Sequence, residues 1–309
     1  CKSVGFTPYG EQRKVYDLIM FSTELDWLEI RLHTLDPFVD FFVIIESPTT
    51  FTGADKPLIL REHWDRFLPF WHKIIYREIH DPLTSMRTWD HEDYLRNSLL
   101  YAIFPDLKGE EMPYRGDVLI VSDMDELLRP ETMLLLRHCN FPARLTLRSQ
   151  FFYYSFQYRH RGEQWAHPQA TIYGGSVENT VAPNDLRMDL IGPGLLQYPY
   201  RYFRRFWDRG TLWNAGWHCS SCFSTIAEFQ MKMHSFSHQS WNTEYNRLPE
   251  TIAERVKNGE DLFGRPGEEY EKIEKNEDLP SYVLQQFREL GRFRYMVDRS
   301  DSHAGFEDW

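Results

Sequence analysis

Asp123 and Asp125 flank a single residue one serine beyond the apolar run Val118-Leu119-Ile120-Val121, and Glu126 follows at once. Carboxylates at this spacing offer hard oxygen ligands, which suit Mg²⁺ or Mn²⁺ held together with the phosphates of a substrate. The run before them reads as a strand covered on both faces. In an open α/β sheet, ligands bind beyond the carboxyl ends of such strands, so the pair should face the binding crevice.

Other residues can carry chemistry of their own. Glu46 ends the apolar run Phe41 to Ile45, where a carboxylate could accept from uracil N3–H or ribose hydroxyls, or cap a neighbouring element. Arg96 lies on a helical stretch ahead of the acidic pair and could reach uracil or diphosphate, or form a surface ion pair. Cys219 and Cys222 form a lone CxxC without a second pair or a clear pair of histidines, so a closed zinc site is not expected. A short-range disulfide and two buried thiols both fit that spacing.

The elements that must position these groups follow from periodicity. Tyr16 to Phe21 reads as a strand, and Leu25, Leu28, Leu32 and Leu35 stand at helical spacing up to Asp36, where Pro37 disfavours continuation. With Phe41 to Ile45 this makes a βαβ unit, the building block of parallel sheets. A second helix runs from a cap at Asp90 through Tyr94, Leu95, Leu99 and Ile103, and a third starts near Pro130. Ala143 to Ser149 alternates apolar and polar residues, predicting a strand with one open face, extended by Phe151 to Phe156. Residues 162–210 loosen into turns with scattered aromatics, the pattern of a functional loop. Ser281 to Val297 predicts a closing helix.

Composition narrows the class. The 309 residues carry 46 acidic and 35 basic side chains, a formal charge of −11, and this excludes the basic footprint that nucleic-acid binding needs. No apolar run approaches the roughly 20 residues of a membrane helix. Aromatic residues reach 16 %, enough both to fill a core and to supply platforms for sugar rings. Of the two chemistries that use an Asp-x-Asp pair, aspartyl-phosphate transfer expects Thr or Val where Leu127 stands. The order of elements favours a nucleotide-sugar transferase with an N-terminal nucleotide-binding βαβ region.

A longer set of strings carries a specific resemblance. Tyr16-Asp17-Leu18-Ile19-Met20-Phe21, Glu24 to Leu32, Phe42 to Ser47, Asp93-Tyr94-Leu95-Arg96, the acidic block 123–126, and Ala215-Gly216-Trp217-His218-Cys219-Ser220-Ser221-Cys222-Phe223 resemble glycosyltransferase family 17. Leu127-Leu128 stand where that family has Ile-Pro, and residues 160–212 follow no family pattern. The resemblance implies an α/β fold, a GT-A-like Rossmann-type nucleotide-sugar-binding domain with a mostly parallel central sheet. One domain over 1–309 is expected, with a C-terminal helical segment, 246–309, packed on its core.

It implies an inverting, metal-dependent transfer of GlcNAc from UDP-GlcNAc to the core β-mannose of N-glycans, in β-1,4 linkage, on an N-glycan or glycoprotein acceptor. Mn²⁺ or Mg²⁺ would be held by Asp123, Asp125 and His218, with His234 and His238 as weaker ligands of the same kind. Asp125 would also serve catalysis by neutralising the departing diphosphate through the ion. Glu46, Arg96 and Asp123 would bind the nucleotide sugar, and Glu126 would be the general base, with Asp185 and Asp189 as alternatives. Trp165 and Trp217 would stack on acceptor sugars. The segment from Trp165 to Trp213, with Tyr173, Tyr198, Tyr200, Tyr202, Phe203, Phe206, Trp207 and basic Arg201, Arg204, Arg205 and Arg209, would line the acceptor cleft. Residence in the Golgi lumen, with a membrane anchor upstream of Cys1, follows from the same resemblance. The rival reading, a glycan-binding protein on a decayed transferase scaffold, has no reason to keep Asp123 and Asp125 together.

Overall fold

A computed structural model describes residues 1–189, 207–235 and 243–309. In chain order its principal strands are β1 (Val15–Phe21), β2 (Phe41–Glu46), β3 (Ile74–Glu78), β4 (Val118–Ser122), β5 (Glu126–Leu128), β6 (Arg144–Tyr153), β7 (Ser155–His160), β8 (Gln169–Ile172), β9 (Arg209–Ser220) and β10 (Tyr270–Lys272). The helices are α1 (Leu25–Leu35), α2 (Ile59–Glu62), α3 (Thr88–Tyr101), α4 (Pro130–His138), α5 (Pro183–Arg187), α6 (Ile226–Ser235), α7 (Pro249–Asn258), α8 (Ser281–Leu290) and α9 (Arg294–Val297). The chain divides into two compact units, residues 1–149 with 166–216, and residues 150–165 with 217–309. Residues 246–309, expected as a helical segment packed on the core of one domain, belong to a unit that also takes in 150–165 and 217–245.

In the first unit β4, β1, β2 and β3 lie side by side and parallel, with Val15 opposite Val118, Tyr16 opposite Phe41 and Phe42 opposite Ile74. The apolar runs of β1, β2 and β4 are almost wholly buried, because helices and loops cover both faces, whereas only Ile75 is buried in the edge strand β3. Tyr16, Leu18, Val43, Leu99, Leu119 and Val121 meet in one core. The β1–α1–β2 crossover forms as the spacing predicts, and α1 ends at Leu35 with Asp36 as its C-cap. Beyond β4 the sheet changes character: β8 runs antiparallel to β4, Gln169 opposite Val121, and antiparallel to β6, Gln169 opposite Thr146. The sheet is therefore mixed, not mostly parallel as expected. After α4 no helix lies between β6, β7 and β8, and without a helical crossover successive strands do not align parallel.

In the second unit β7 pairs antiparallel with the end of β6, Phe152 opposite Arg159, and β10 pairs with β7, Tyr270 opposite His160. The expected single ribbon through Phe156 breaks at Tyr154, whose φ of 66° turns the chain into a hairpin. Tyr154, Phe229, Ile252, Val256 and Phe306 form this unit's core. The expected closing helix stops at Leu290, because Gly291 takes the left-handed conformation at its C-cap, and resumes as α9. All four cysteines are paired, Cys1 with Cys139 in the first unit and Cys219 with Cys222 in the second. Among the described residues no helix is long and apolar enough to cross a membrane.

Candidate active site

The acidic turn follows β4 at its carboxyl end, where β1 has β2 on one side and β4 on the other. Strand order reverses there, and that is where open α/β sheets bind ligands. The turn is anchored from beneath by Arg31 of α1. This guanidinium, with no exposed surface, grips both oxygens of the equally buried Asp17 at 2.6 and 2.8 Å. It also donates to the carbonyls of Asp123 (3.2 Å), Met124 (3.3 Å) and Glu126 (2.9 Å), and to the Ser122 hydroxyl. One planar fork thus satisfies three carbonyls of a turn that could not otherwise be buried. Asp17 and Arg31 both lie in the family-like strings, but nothing local in the sequence marks them as partners.

Above the backbone the side chains form a second ionic layer. Glu126 has no exposed surface and accepts from the Asp123 amide at 2.9 Å and from both terminal nitrogens of Arg187, at 2.9 and 2.7 Å. Arg187 also holds Asp123 Oδ2, and Arg96 approaches Asp123 Oδ1 at 3.4 Å while pairing with Glu92 (2.6 Å) and Asn184 (3.1 Å). Burial lowers the pKa of Arg187, but the charges of Asp123 and Glu126 more than reverse this, and the group is held firmly protonated. Burial, with Glu126 and Asp125 nearby, raises the carboxyl of Asp123 above its ordinary range against the pull of Arg187 and Arg96.

Both oxygens of Asp123 face guanidinium groups, and among the described residues no group of three or more His, Cys, Asp or Glu side chains is placed to hold a metal. His218 belongs to the second unit, where its ring stacks against both Trp165 (4.7 Å between centroids) and Phe151 (5.0 Å), which also touch each other. His234 lies exposed near the end of α6, and His238 lies outside the described residues. The donor set as placed does not fit the expected ion.

The remaining candidates divide by environment. Glu46 is fully buried and caps α2: it accepts from the Leu60 amide at 3.0 Å and the Tyr76 hydroxyl at 2.8 Å, with Lys56 Nζ 3.8 Å away. Glu126, expected as the base, is turned inward onto Arg187 and fixes the turn. Trp217 is buried and its indole N–H donates to Asp278 at 2.9 Å, so its ring is core and not a platform. Asp125 is half-buried at the tip of the turn. Asp185 has its carboxyl pKa raised by burial.

Asp189 borders a cavity of about 400 Å³ built wholly from the first unit, at the end of α5. Arg144 and Arg148 from the open face of β6, Arg187, and Arg209 at the start of β9 line it too. Tyr173 is buried in the core of the first unit, whereas Trp207 and Trp213 are exposed. Tyr198, Tyr200, Tyr202, Phe203, Phe206, Arg201, Arg204 and Arg205 lie outside the described residues.

Comparison with known proteins adds an independent line. A sequence model of glycosyltransferase family 17 matches residues 1–180 and 196–297. Proteins from Homo sapiens, Rattus norvegicus and Mus musculus named beta-1,4-mannosyl-glycoprotein 4-beta-N-acetylglucosaminyltransferase are 27 %, 27 % and 26 % identical over 94 % of this chain. The alignment takes in 56 % of each relative, so the chain spans about half the length of the curated relatives it matches. Among solved structures a PaToxG glycosyltransferase aligns with a TM-score of 0.25 and 10 % identity over 67 % of this chain and 80 % of that one, too slight a likeness to carry an argument.

Proposed function

The chain belongs to glycosyltransferase family 17, and from that premise we propose that it transfers GlcNAc from UDP-GlcNAc to the core β-mannose of N-glycans, forming the bisecting β-1,4 linkage. The observation that carries this reading is the acidic turn. Asp123 and Asp125 stand at the strand-order reversal, and the buried guanidinium of Arg31, itself paired with Asp17, fixes the turn there through three of its carbonyls. A glycan-binding protein would have no use for that investment in a rigid acidic turn. The similarity of the named relatives across the same span supports the choice of sugar and acceptor.

On this reading the nucleotide lies in the crevice beyond β1 and β4, within a GT-A-like arrangement of the four parallel strands. The sugar then points past the acidic turn toward the arginine-lined cavity. Glu126 is a positioning residue: it orients Arg187 and the Asp123 amide. Asp189, on the cavity wall, takes the role of the base that removes the proton from the acceptor hydroxyl. Asp189→Asn should lower kcat by roughly 10²-fold or more while leaving UDP bound. Calorimetry with UDP and steady-state kinetics together check this, and unchanged kcat would return the base to another carboxylate. Absence of UDP binding by the wild-type chain would remove the transferase reading itself. We place the protein in the Golgi lumen, a reading supported by the pairing of all four cysteines, which suits an oxidising compartment.

A further inference from the structure

We propose that the cavity beside the acidic turn is an oxyanion-binding subsite, which takes a phosphate or carboxylate group of a substrate on guanidinium groups and needs no divalent ion to do so. In a chain of net charge −11, four arginines, Arg144, Arg148, Arg187 and Arg209, and one carboxylate, Asp189, line this cavity among the described residues. The basic character comes from the strand's register: Arg144, Thr146 and Arg148 alternate on one face of β6 while Leu145 and Leu147 are buried on the other. Any shift by one residue would put the arginines in the core. Gln169, opposite Thr146, and His167 add further polar groups to the wall.

Geometry suits a bound oxyanion. The Arg148 guanidinium lies over the Trp213 ring at 4.7 Å, and a stacked guanidinium directs its N–H groups in its own plane, where they can meet an oxyanion edge-on. Arg144 is tied at one nitrogen to the Asp185 carbonyl at 3.0 Å, which fixes its direction. Arg187 joins the cavity to the acidic turn through Glu126 and Asp123. Asp189 opposes an incoming anion and is balanced by Arg209 at 2.5 Å and Arg144 at 3.9 Å.

Two sources could supply the group, the diphosphate of the donor or an acidic substituent on the acceptor glycan. Which of them applies rests on the transferase reading, whereas the binding does not. Inorganic pyrophosphate is the probe, titrated calorimetrically into the full chain in the presence of EDTA. Wild type should bind it with an affinity that weakens as salt rises. Arg148→Gln should weaken binding about tenfold or more, the worth of a charge-assisted hydrogen bond. Asp189→Asn should tighten it several-fold, since it removes a carboxylate that lines the cavity.

These opposite signs separate a local site from general loss of fold, which circular dichroism of both variants checks. Displacement of bound pyrophosphate by UDP assigns the subsite to the donor. Displacement by a sialylated or phosphorylated glycan, but not by UDP, assigns it to the acceptor. No binding in EDTA, equal binding by both variants, or displacement by neither competitor would overturn the proposal. Because no turnover is measured, failure of the transferase reading leaves this result standing, and the reverse holds as well.

Discussion

Arg31 carries more of the site than any residue that would touch a substrate. It is buried with Asp17, and its fork ties β1, α1 and the carbonyls of the acidic turn into one rigid piece. Its removal strands a buried carboxylate, and breaking such a pair costs about 3–5 kcal/mol. Arg31→Met should therefore lower unfolding stability by about that amount in urea titration; a loss under about 1 kcal/mol would mean the pair is not the anchor described. Asp123 and Asp125 were legible from spacing alone, because the apolar run before them is a local signal. Arg31, Asp17 and Arg187 were not, because their partners are 14 to 95 positions away in sequence and only the folded sheet brings them together. Glu126 shows the cost of reading adjacency as function: a carboxylate next to the crevice in sequence points inward once the turn closes.

At the scale of elements, the parallel half of the sheet was readable because buried parallel strands are continuous apolar runs with helical spacing between them. The antiparallel half was less so. β8 and α5, four and five residues long, give too few periods to stand out from the turn-rich segment around them. The alternation of Ala143 to Ser149 was read correctly as an open face, but nothing in the pattern says that this face lines a cavity.

The entry to α3 provides a pH test. His91 donates from Nδ1 to Asp81 (2.5 Å) and from Nε2 to the Ser85 carbonyl (2.9 Å). Its pKa is raised, first by the Ser85 bond and then by Asp81, with burial opposing. A histidine whose folded pKa exceeds its unfolded value stabilises fully below about pH 6.5, and this is lost as pH rises through the folded value. The Tm difference between wild type and His91→Gln should be largest in acid and shrink toward alkaline pH. A difference that grows with pH would contradict the assignment.

For the molecule as a whole, family membership and the order of elements were both legible in the strings before and after the acidic turn, while the division into two units was not. That division is discontinuous, with boundaries near residues 149, 165 and 216 that no composition shift marks. The Cys1–Cys139 disulfide likewise escaped a reading by spacing, since it joins residues separated by 138 positions. Constraining so long a loop stabilises chiefly by limiting the unfolded chain, so Cys139→Ser should cost about 2–5 kcal/mol in denaturant titration under non-reducing conditions. An unchanged midpoint would show that the bond adds nothing to the folded state.

The central claim is the transfer itself. It is tested most directly by offering UDP-GlcNAc and a panel of defined N-glycans to the wild-type chain, with Asp189→Asn as the control, and determining any new linkage by NMR. The account predicts one added GlcNAc in β-1,4 linkage on the core β-mannose, falling by roughly 10²-fold or more in the variant. Hydrolysis of UDP-GlcNAc without any glycosylated N-glycan, or a product formed equally by Asp189→Asn, would contradict it.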